Sequence, residues 1–378
     1  MQTKRKVLHI THTNVYEDSR ILKEIETLSD TSLYEIYAIG VAAKLRGAKT
    51  QNQVKGTVKT LTLISKKFTF LPSFLRHILN LIELFVSMVF FGVRYRPKVI
   101  HCHDTIVLPI GVIISLITGA KVIYDAHELE SNKNGQSKFN SSGTFLIEKI
   151  CWPRVDTLIS VSPSILNWYD EELGYKKNTL ILNSPVISNN SKKEESKYFH
   201  ALYNIPDNEL IFIYLGFLGQ GRGIEMLLNV FSENNIKSHV IFMGYGDLES
   251  KIISFSNKNN QIHLHPQVPH ENVVNIVKSA DFGMCIIENI SLSDYYCLPN
   301  KLFEYTFAGL PVLASNFPDI LDLVSRHGLG ICTDVNEVSV ISAIQALEET
   351  NVPYNPKNIE ELKWASQANR LVKVYNEM

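Results

Sequence analysis

Short runs of branched and aromatic apolar residues alternate with helical stretches twice along this chain, and a polar interruption separates the two series. The first series comprises residues 6–10 (KVLHI), 35–39 (EIYAI), 99–101 (VIH), 121–124 (KVIY) and 157–161 (TLISV). Between its first two members, Ile21, Leu22, Ile25 and Leu28 recur at helical spacing. The second series comprises residues 210–214 (LIFIY), 240–243 (VIFM), 261–264 (QIHL), 282–286 (FGMCI) and 312–314 (VLA). Strands alternating with helices form βαβ units, and these build parallel sheets covered on both faces. Between the series, residues 187–197 (ISNNSKKEESK) carry almost nothing to bury and read as a linker. Near the end, Leu362, Ala365, Ala368, Leu371 and Tyr375 fall on one helical face.

Size and composition agree with two α/β domains. At about 150 residues per domain, 378 residues favour two. Hydrophobic residues make up 45% and charged residues 20%, which excludes a disordered tail protein, a collagen-like chain and a disulfide scaffold. A formal net charge of −1 argues against a uniformly basic polyanion binder. The five cysteines, Cys102, Cys151, Cys285, Cys297 and Cys332, lie far apart with no CxxC, as reduced cysteines of a cytosolic protein would. The basic start MQTKRKVLHI has too short an apolar run for a secretory signal, so none is expected.

Two segments could carry chemistry. Residues 214–224 run from a strand through Gly216, Gly219, Gly221 and Gly223 into a helix, with Arg222 among the glycines. Such a turn lets backbone amides approach a phosphate, and Arg222 adds a charge-assisted contact. The spacing is not GxGxxG, so a dinucleotide dehydrogenase lacks its fingerprint; the plain alternative is a flexible β-to-α turn. In residues 298–312 (LPNKLFEYTFAGLPV), a helix is expected from about Asn300 to Phe307, after Pro299 and before Gly309. Glu304, one turn inside, could accept hydrogen bonds from a ribose diol, or could be a solvated helix residue. His101 and His103 fall on one side of a strand end, but no HxxxH or cysteine pair completes a metal set.

The residues from Lys301 to Val312 resemble the nucleotide-binding motif of retaining GT-B glycosyltransferases of glycosyltransferase family 4. Other segments follow that family's order: Leu215-Gly216 through Arg222-Gly223, Met243-Gly244-Tyr245-Gly246 and Ser279-Ala280-Asp281 in the second half. In the first half they are His9-Ile10 through Asp18-Ser19-Arg20, residues 99–104 (VIHCHD), residues 124–128 (YDAHE) and Ser160-Val161-Ser162. The resemblance implies an acceptor-binding Rossmann-like domain over 1–186 and a nucleotide-sugar-binding one over 187–360. They would face each other across a cleft, with a helix over 361–378 crossing back to the first. It implies a metal-independent glycosyltransferase with no cofactor, moving a sugar from a UDP- or GDP-sugar to a saccharide or lipid-linked acceptor, in cell-surface polysaccharide or lipopolysaccharide assembly. A nucleotide-sugar epimerase or hydrolase and a non-catalytic nucleotide-sugar-binding protein are the alternatives. No Asp-x-Asp occurs, which counts against a metal-dependent GT-A transferase.

By position in these motifs, His127, Arg222 and Glu304 are the candidate catalytic residues. Gly216, Gly219, Gly221, Gly223, Gly244, Asn300, Lys301, Leu302, Asp18 and Glu128 are the candidate binding residues. His127 aligns with the family histidine beside the donor sugar; otherwise Asp125, His127 and Glu128 merely cap a strand end. Asp18 and Arg20 either approach the acceptor or pin their loop by an ion pair. Two positions depart from the family. Phe217 stands where many relatives have an Arg. Tyr296 replaces the first glutamate of a pair, leaving Asp294 or Glu288 to supply a carboxylate, or backbone amides to hold the sugar instead.

Residues 75–93 (LRHILNLIELFVSMVFFGV) place Asn80, Glu83 and Ser87 on one helical face and Ile78, Leu79, Ile82, Val86 and Val89 on another. The uncharged run 84–93 is shorter than the roughly twenty residues a bilayer needs, so an amphipathic or sheet-covering helix is expected. Residues 44–98 hold eleven Lys and Arg against Glu83 alone, a charge of +10 that leaves −11 for the rest. With Phe68, Phe70 and Phe74 nearby, this suits peripheral contact with the inner face of the cytoplasmic membrane. No nucleic-acid motif accompanies the charge, so no nucleic-acid partner is expected.

Overall fold

The first alternation folds into a seven-stranded parallel sheet and the second into a six-stranded one. The computed structural model describes residues 4–42, 54–186, 197–233, 235–349 and 354–378. It divides into a first unit, Met1–Ile181 with Ala368–Met378, and a second, Leu182–Gln367. Most of the expected linker, along with Lys44, Arg46 and Lys49, lies outside the described residues.

In the first unit the strands are β1 (Arg5–Ile10), β2 (Tyr34–Val41), β3 (Thr57–Leu61), β4 (Val99–His103), β5 (Lys121–Ala126), β6 (Thr157–Ser160) and β7 (Asn178–Leu180), in the order β3-β2-β1-β4-β5-β6-β7. β4 is buried along its whole length, as a central parallel strand covered on both faces must be. The helices are α1 (Ser19–Asp30), α2 (Ser73–Tyr95), α3 (Leu108–Thr118), α4 (Lys138–Cys151) and α5 (Pro163–Leu173). α1 starts where the Asp18 carboxylate accepts the N–H groups of Arg20 and Ile21.

α2 departs from expectation. By length and composition it is long and apolar enough to cross a membrane, although its uncharged run is short. The difference is Glu83, which splits the run but accepts hydrogen bonds from the N–H groups of Ile64 and Ser65 and from the Ser65 hydroxyl.

The second unit holds β8 (Ile211–Phe217), β9 (His239–Tyr245), β10 (Ile262–Pro266), β11 (Phe282–Cys285), β12 (Val312–Ser315) and β13 (Gly330–Thr333), ordered β10-β9-β8-β11-β12-β13. Its helices are α6 (Tyr198–Tyr203), α7 (Ile224–Val230), α8 (Glu249–Ser256), α9 (His270–Val277), α10 (Leu292–Tyr295), α11 (Asn300–Ala308), α12 (Pro318–His327) and α13 (Glu337–Glu349). Phe212, Tyr214, Phe231, Phe242 and Met284 form the centre of its core. The chain ends in α14 (Trp364–Asn376), whose residues from Ala368 onward belong to the first unit and bury Leu371, Val374 and Tyr375 there.

Both sheets are built outward from a central strand. The chain leaves β1 toward β2 and later resumes at β4 on its other side; it leaves β8 toward β9 and resumes at β11. The gaps above β1/β4 and β8/β11 are topological switch points, where open parallel sheets bind ligands.

Candidate functional site

In each unit the candidate residues gather at the carboxyl ends of strands at its switch point or next to it. In the second unit, β8 ends at Gly216 and Phe217, and the turn Gly219 to Gly223 leads into α7. β9 brings Gly244 so close that an added Cβ would sit 1.8 Å from the Gly216 carbonyl oxygen, so only glycine fits. The turn is tied to the loop after β11, since the Glu288 N–H donates to the Gly221 carbonyl at 3.1 Å. Arg222 reaches the same loop, its Nη1 3.5 Å from Asp294 Oδ1. The Asp294 carboxylate also accepts the Ser291 hydroxyl at 2.8 Å. Tyr296 lies just beyond α10, and Phe217 is half-exposed with its ring edge-on to Tyr245.

α11 forms as the sequence predicts, extended by one residue to Ala308. Tyr305 fixes its position: the hydroxyl accepts the Leu215 N–H at 2.8 Å and lies within hydrogen-bond distance of the Ile213 and Met284 carbonyls. Sequence reasoning missed this anchor, because its partners are on other strands. Beside Tyr305, Glu304 is buried rather than solvated. Lys301 lies over the Tyr214 ring at 3.6 Å, and its Nζ is buried with no hydrogen-bond partner among the described residues. Asn300, exposed, and Leu302, buried, complete the first turn. Two cations, the N-terminal turn of α11 and a carboxylate one turn deeper are a set that can hold a phosphate and a diol.

In the first unit, His127 follows β5 and is partly exposed, with Glu128 exposed beside it. Its Nε2 is 3.1 Å from Asp125 Oδ2 and 3.2 Å from His103 Nδ1, and its Nδ1 is 3.6 Å from Asp104 Oδ1. Burial alone would lower its pKa, but Asp104 and Asp125 raise it to about 10, so the ring is an imidazolium at neutral pH. Asp104 has a positive φ of 69° with ψ 163°, a backbone conformation that glycine alone adopts freely.

Asp18 and Arg20 do not pair with each other. Asp18 caps α1, while Arg20 is fully buried and holds Asp125 through Nε and Nη2, both at 2.9 Å, with Nη1 donating to the Ile181 carbonyl at 2.9 Å. Burial would raise the Asp125 carboxyl, but Arg20 and His127 hold it well below the usual carboxylate range. Burial and Asp125 push Glu24, one turn along α1, up to about 7.

Behind this cluster His9, His101 and His103 stack in the core, with ring centroids 4.4–5.3 Å apart and planes within 26° of parallel. Together with Glu24 their candidate ligand atoms lie within 4.8 Å of one another. The set is a hydrogen-bonded ladder, with His9 Nδ1 3.0 Å from His103 Nε2 and His101 Nδ1 2.7 Å from the Tyr375 hydroxyl.

Residues 196–361 match the family model of the glycosyl transferases group 1. No curated protein matches the chain. Among solved structures, sucrose-phosphate synthase from Thermosynechococcus elongatus superposes with a TM-score of 0.77 at 15% identity, covering 99% of both chains. Anabaena Alr3699/HepE, in complex with UDP and glucose, gives 0.74 at 12% identity over 99% of this chain and 100% of that one. The lipopolysaccharide outer core galactosyltransferase WaaB gives 0.69 at 14% identity, again over 99% and 100%. These likenesses establish the GT-B fold.

Proposed function

We propose, from the premise that this chain is a glycosyltransferase of the GT-B fold with a glycosyl transferases group 1 domain in its second unit, that it is a retaining, metal-independent enzyme using a nucleotide-sugar donor. The observation that carries the reading is the set at the β8/β11 switch point: Arg222, Lys301 and Glu304 around the glycine turn and the start of α11. Arg222, Lys301 and the first-turn amides of α11 take the diphosphate, and Glu304 takes the ribose hydroxyls. The Anabaena protein's complexes with UDP and UDP-glucose support a uridine nucleotide over a guanosine one.

The sugar passes to a hydroxyl of a saccharide or lipid-linked acceptor, on the face from which the diphosphate departs, through an oxocarbenium-like transition state with no protein nucleophile. Positioning and stabilisation of the leaving diphosphate supply the catalysis. His127, an imidazolium, donates to oxygen on the donor sugar or the leaving phosphate. The similarity to WaaB supports a role in cell-surface polysaccharide or lipopolysaccharide assembly, at the inner face of the membrane reached through residues 44–98.

Thermal-shift titration against UDP-, GDP-, ADP- and CMP-sugars tests the donor class, with UDP-sugars expected to stabilise most. Glu304→Ala is expected to weaken nucleotide binding at least tenfold and to abolish most transfer, and activity is expected to survive EDTA. A folded Glu304→Ala protein with unchanged affinity and rate overturns the assignment.

A further inference from the structure

α2 wears its amphipathicity inside out. Two of its polar residues turn to the protein: Glu83 caps the turn at Ile64 and Ser65, and Asn80 Oδ1 lies 2.6 Å from the Ser65 hydroxyl. Its apolar ridge faces outward, with Phe74, Ile78, Ile82, Val86 and Phe90, each four residues apart, between 38% and 70% exposed. A surface helix of a globular protein turns its apolar stripe to the core and its polar face to water. This arrangement leaves a continuous ridge about 24 Å long with no cover among the described residues.

The same ridge continues one step further to Arg94. There Val89, Phe90, Val93, Arg94, Arg96 and Ile117 line a groove of about 830 Å³ at the ends of α2 and α3. Neither Arg94 nor Arg96 makes an ion pair with the described residues, and both are exposed. Arg96 takes a left-handed backbone, φ 49°, at the position where a helix end favours glycine. Lys66, Lys67 and Arg76 at the other end of α2, and Lys98 after it, are likewise without acidic partners among the described residues. An uncovered apolar ridge bracketed by unpaired cations complements a surface with anionic headgroups over hydrocarbon.

The ridge does not cross a bilayer. α2 connects β3 to β4 within one parallel sheet, and its opposite side is packed down. Leu84, Met88 and Gly92 are buried, and a Cβ on Gly92 would sit 2.4 Å from Ile114 Cδ1.

We infer that the outward face of α2 lies in the surface of an anionic phospholipid bilayer, and that the Arg94/Arg96 groove seats one lipid, its phosphate between the guanidinium groups and an acyl chain along Val89, Phe90, Val93 and Ile117. This sharpens the membrane contact proposed above and rests on it, but not on the donor assignment.

Sedimentation with phosphatidylcholine vesicles, with and without phosphatidylglycerol, tests it on the full chain. Phosphatidylglycerol is expected to be required, and Arg94→Gln/Arg96→Gln is expected to weaken binding at least tenfold. Val86→Glu/Phe90→Glu is expected to abolish it, while circular dichroism and the thermal midpoint stay those of the parent protein and confirm folding. Inorganic phosphate at the same phosphate concentration is expected not to compete. Binding that ignores Arg94 and Arg96, yet still needs phosphatidylglycerol, overturns the groove and leaves the wider membrane contact standing. Absence of any vesicle binding overturns both. A dimer in light scattering without lipid, dissolved by Val86→Glu/Phe90→Glu, assigns the face to a second copy and overturns the inference.

Discussion

His127 owes its chemistry to its neighbours rather than to its residue type. Asp104 and Asp125 hold its proton up to about pH 10 against a burial that would strip it. Asp104→Asn is expected to bring the alkaline limb of the pH–rate profile down by about one unit, since each unit reflects about 1.4 kcal/mol of charge interaction. Imidazole nitrogen NMR reads the same change directly, and a resonance that titrates as before removes Asp104 from this role. The histidines behind it titrate in the opposite sense. Burial lowers His9 well below 6.5 and His103 to about 4. As pH falls through 6.5 the unfolded chain takes up these protons and the folded chain does not, so each costs roughly 1.4 kcal/mol of stability per pH unit until its folded pKa is reached. Glu24, raised to about 7, opposes one of them by keeping its proton in the fold down to the ordinary glutamate range. His103→Asn should therefore flatten the acid limb of the urea midpoint followed by tryptophan fluorescence, and an unchanged slope refutes this. His127, Arg222 and Glu304 are proposed from the sequence because each stands in a motif. The Arg20–Asp125 pair could not, as 105 positions separate its members.

Among elements, those that sequence patterning missed are edge strands. β3, β7 and β13 each pair on one side only, and β7 has three residues. A strand with one neighbour need not be apolar on both faces, so the continuous runs that marked β4 and β8 are absent from it. α2 was visible as two-faced, yet which face points inward depends on the turn at Ile64 and Ser65, which periodicity does not encode. α11 was legible to within a residue, because Pro299 and Gly309 bracket it. Its placement was not, for that depends on Tyr305. Tyr305→Phe deprives the buried Leu215 N–H of its acceptor, and is expected to cost about 1–3 kcal/mol in urea unfolding. Because α11 carries Lys301 and Glu304, nucleotide affinity measured by calorimetry should fall with it. A variant that keeps parental affinity and stability shows that packing alone positions the helix.

At the scale of the whole chain, two alternations were enough to give two parallel sheets, since βαβ order leaves few other arrangements. The last eleven residues needed more than pattern. Their single apolar face was plain, but its destination is set by partners at the far end of the sequence. The Arg5 guanidinium donates to the Tyr375 carbonyl at 3.2 Å, the Tyr34 hydroxyl donates to Asn376 at 2.8 Å, and the Tyr375 hydroxyl meets His101 Nδ1 at 2.7 Å. Tyr375 thus ends the buried histidine ladder, and without it His101 keeps a polar atom in the core with no partner. The first unit is then complete only when the final helix exists, although its sheet ends at β7. A chain ending at Gln367 is expected to lose slow amide exchange in β1 and β4 while β8 and β9 keep theirs, because the removed residues belong to the first unit. Tyr375→Phe removes the hydroxyl alone and leaves the ring packed, so it should destabilise that unit by about 1–3 kcal/mol and no more. Equal protection in the truncated and full-length chains would mean that the first unit folds without its final helix.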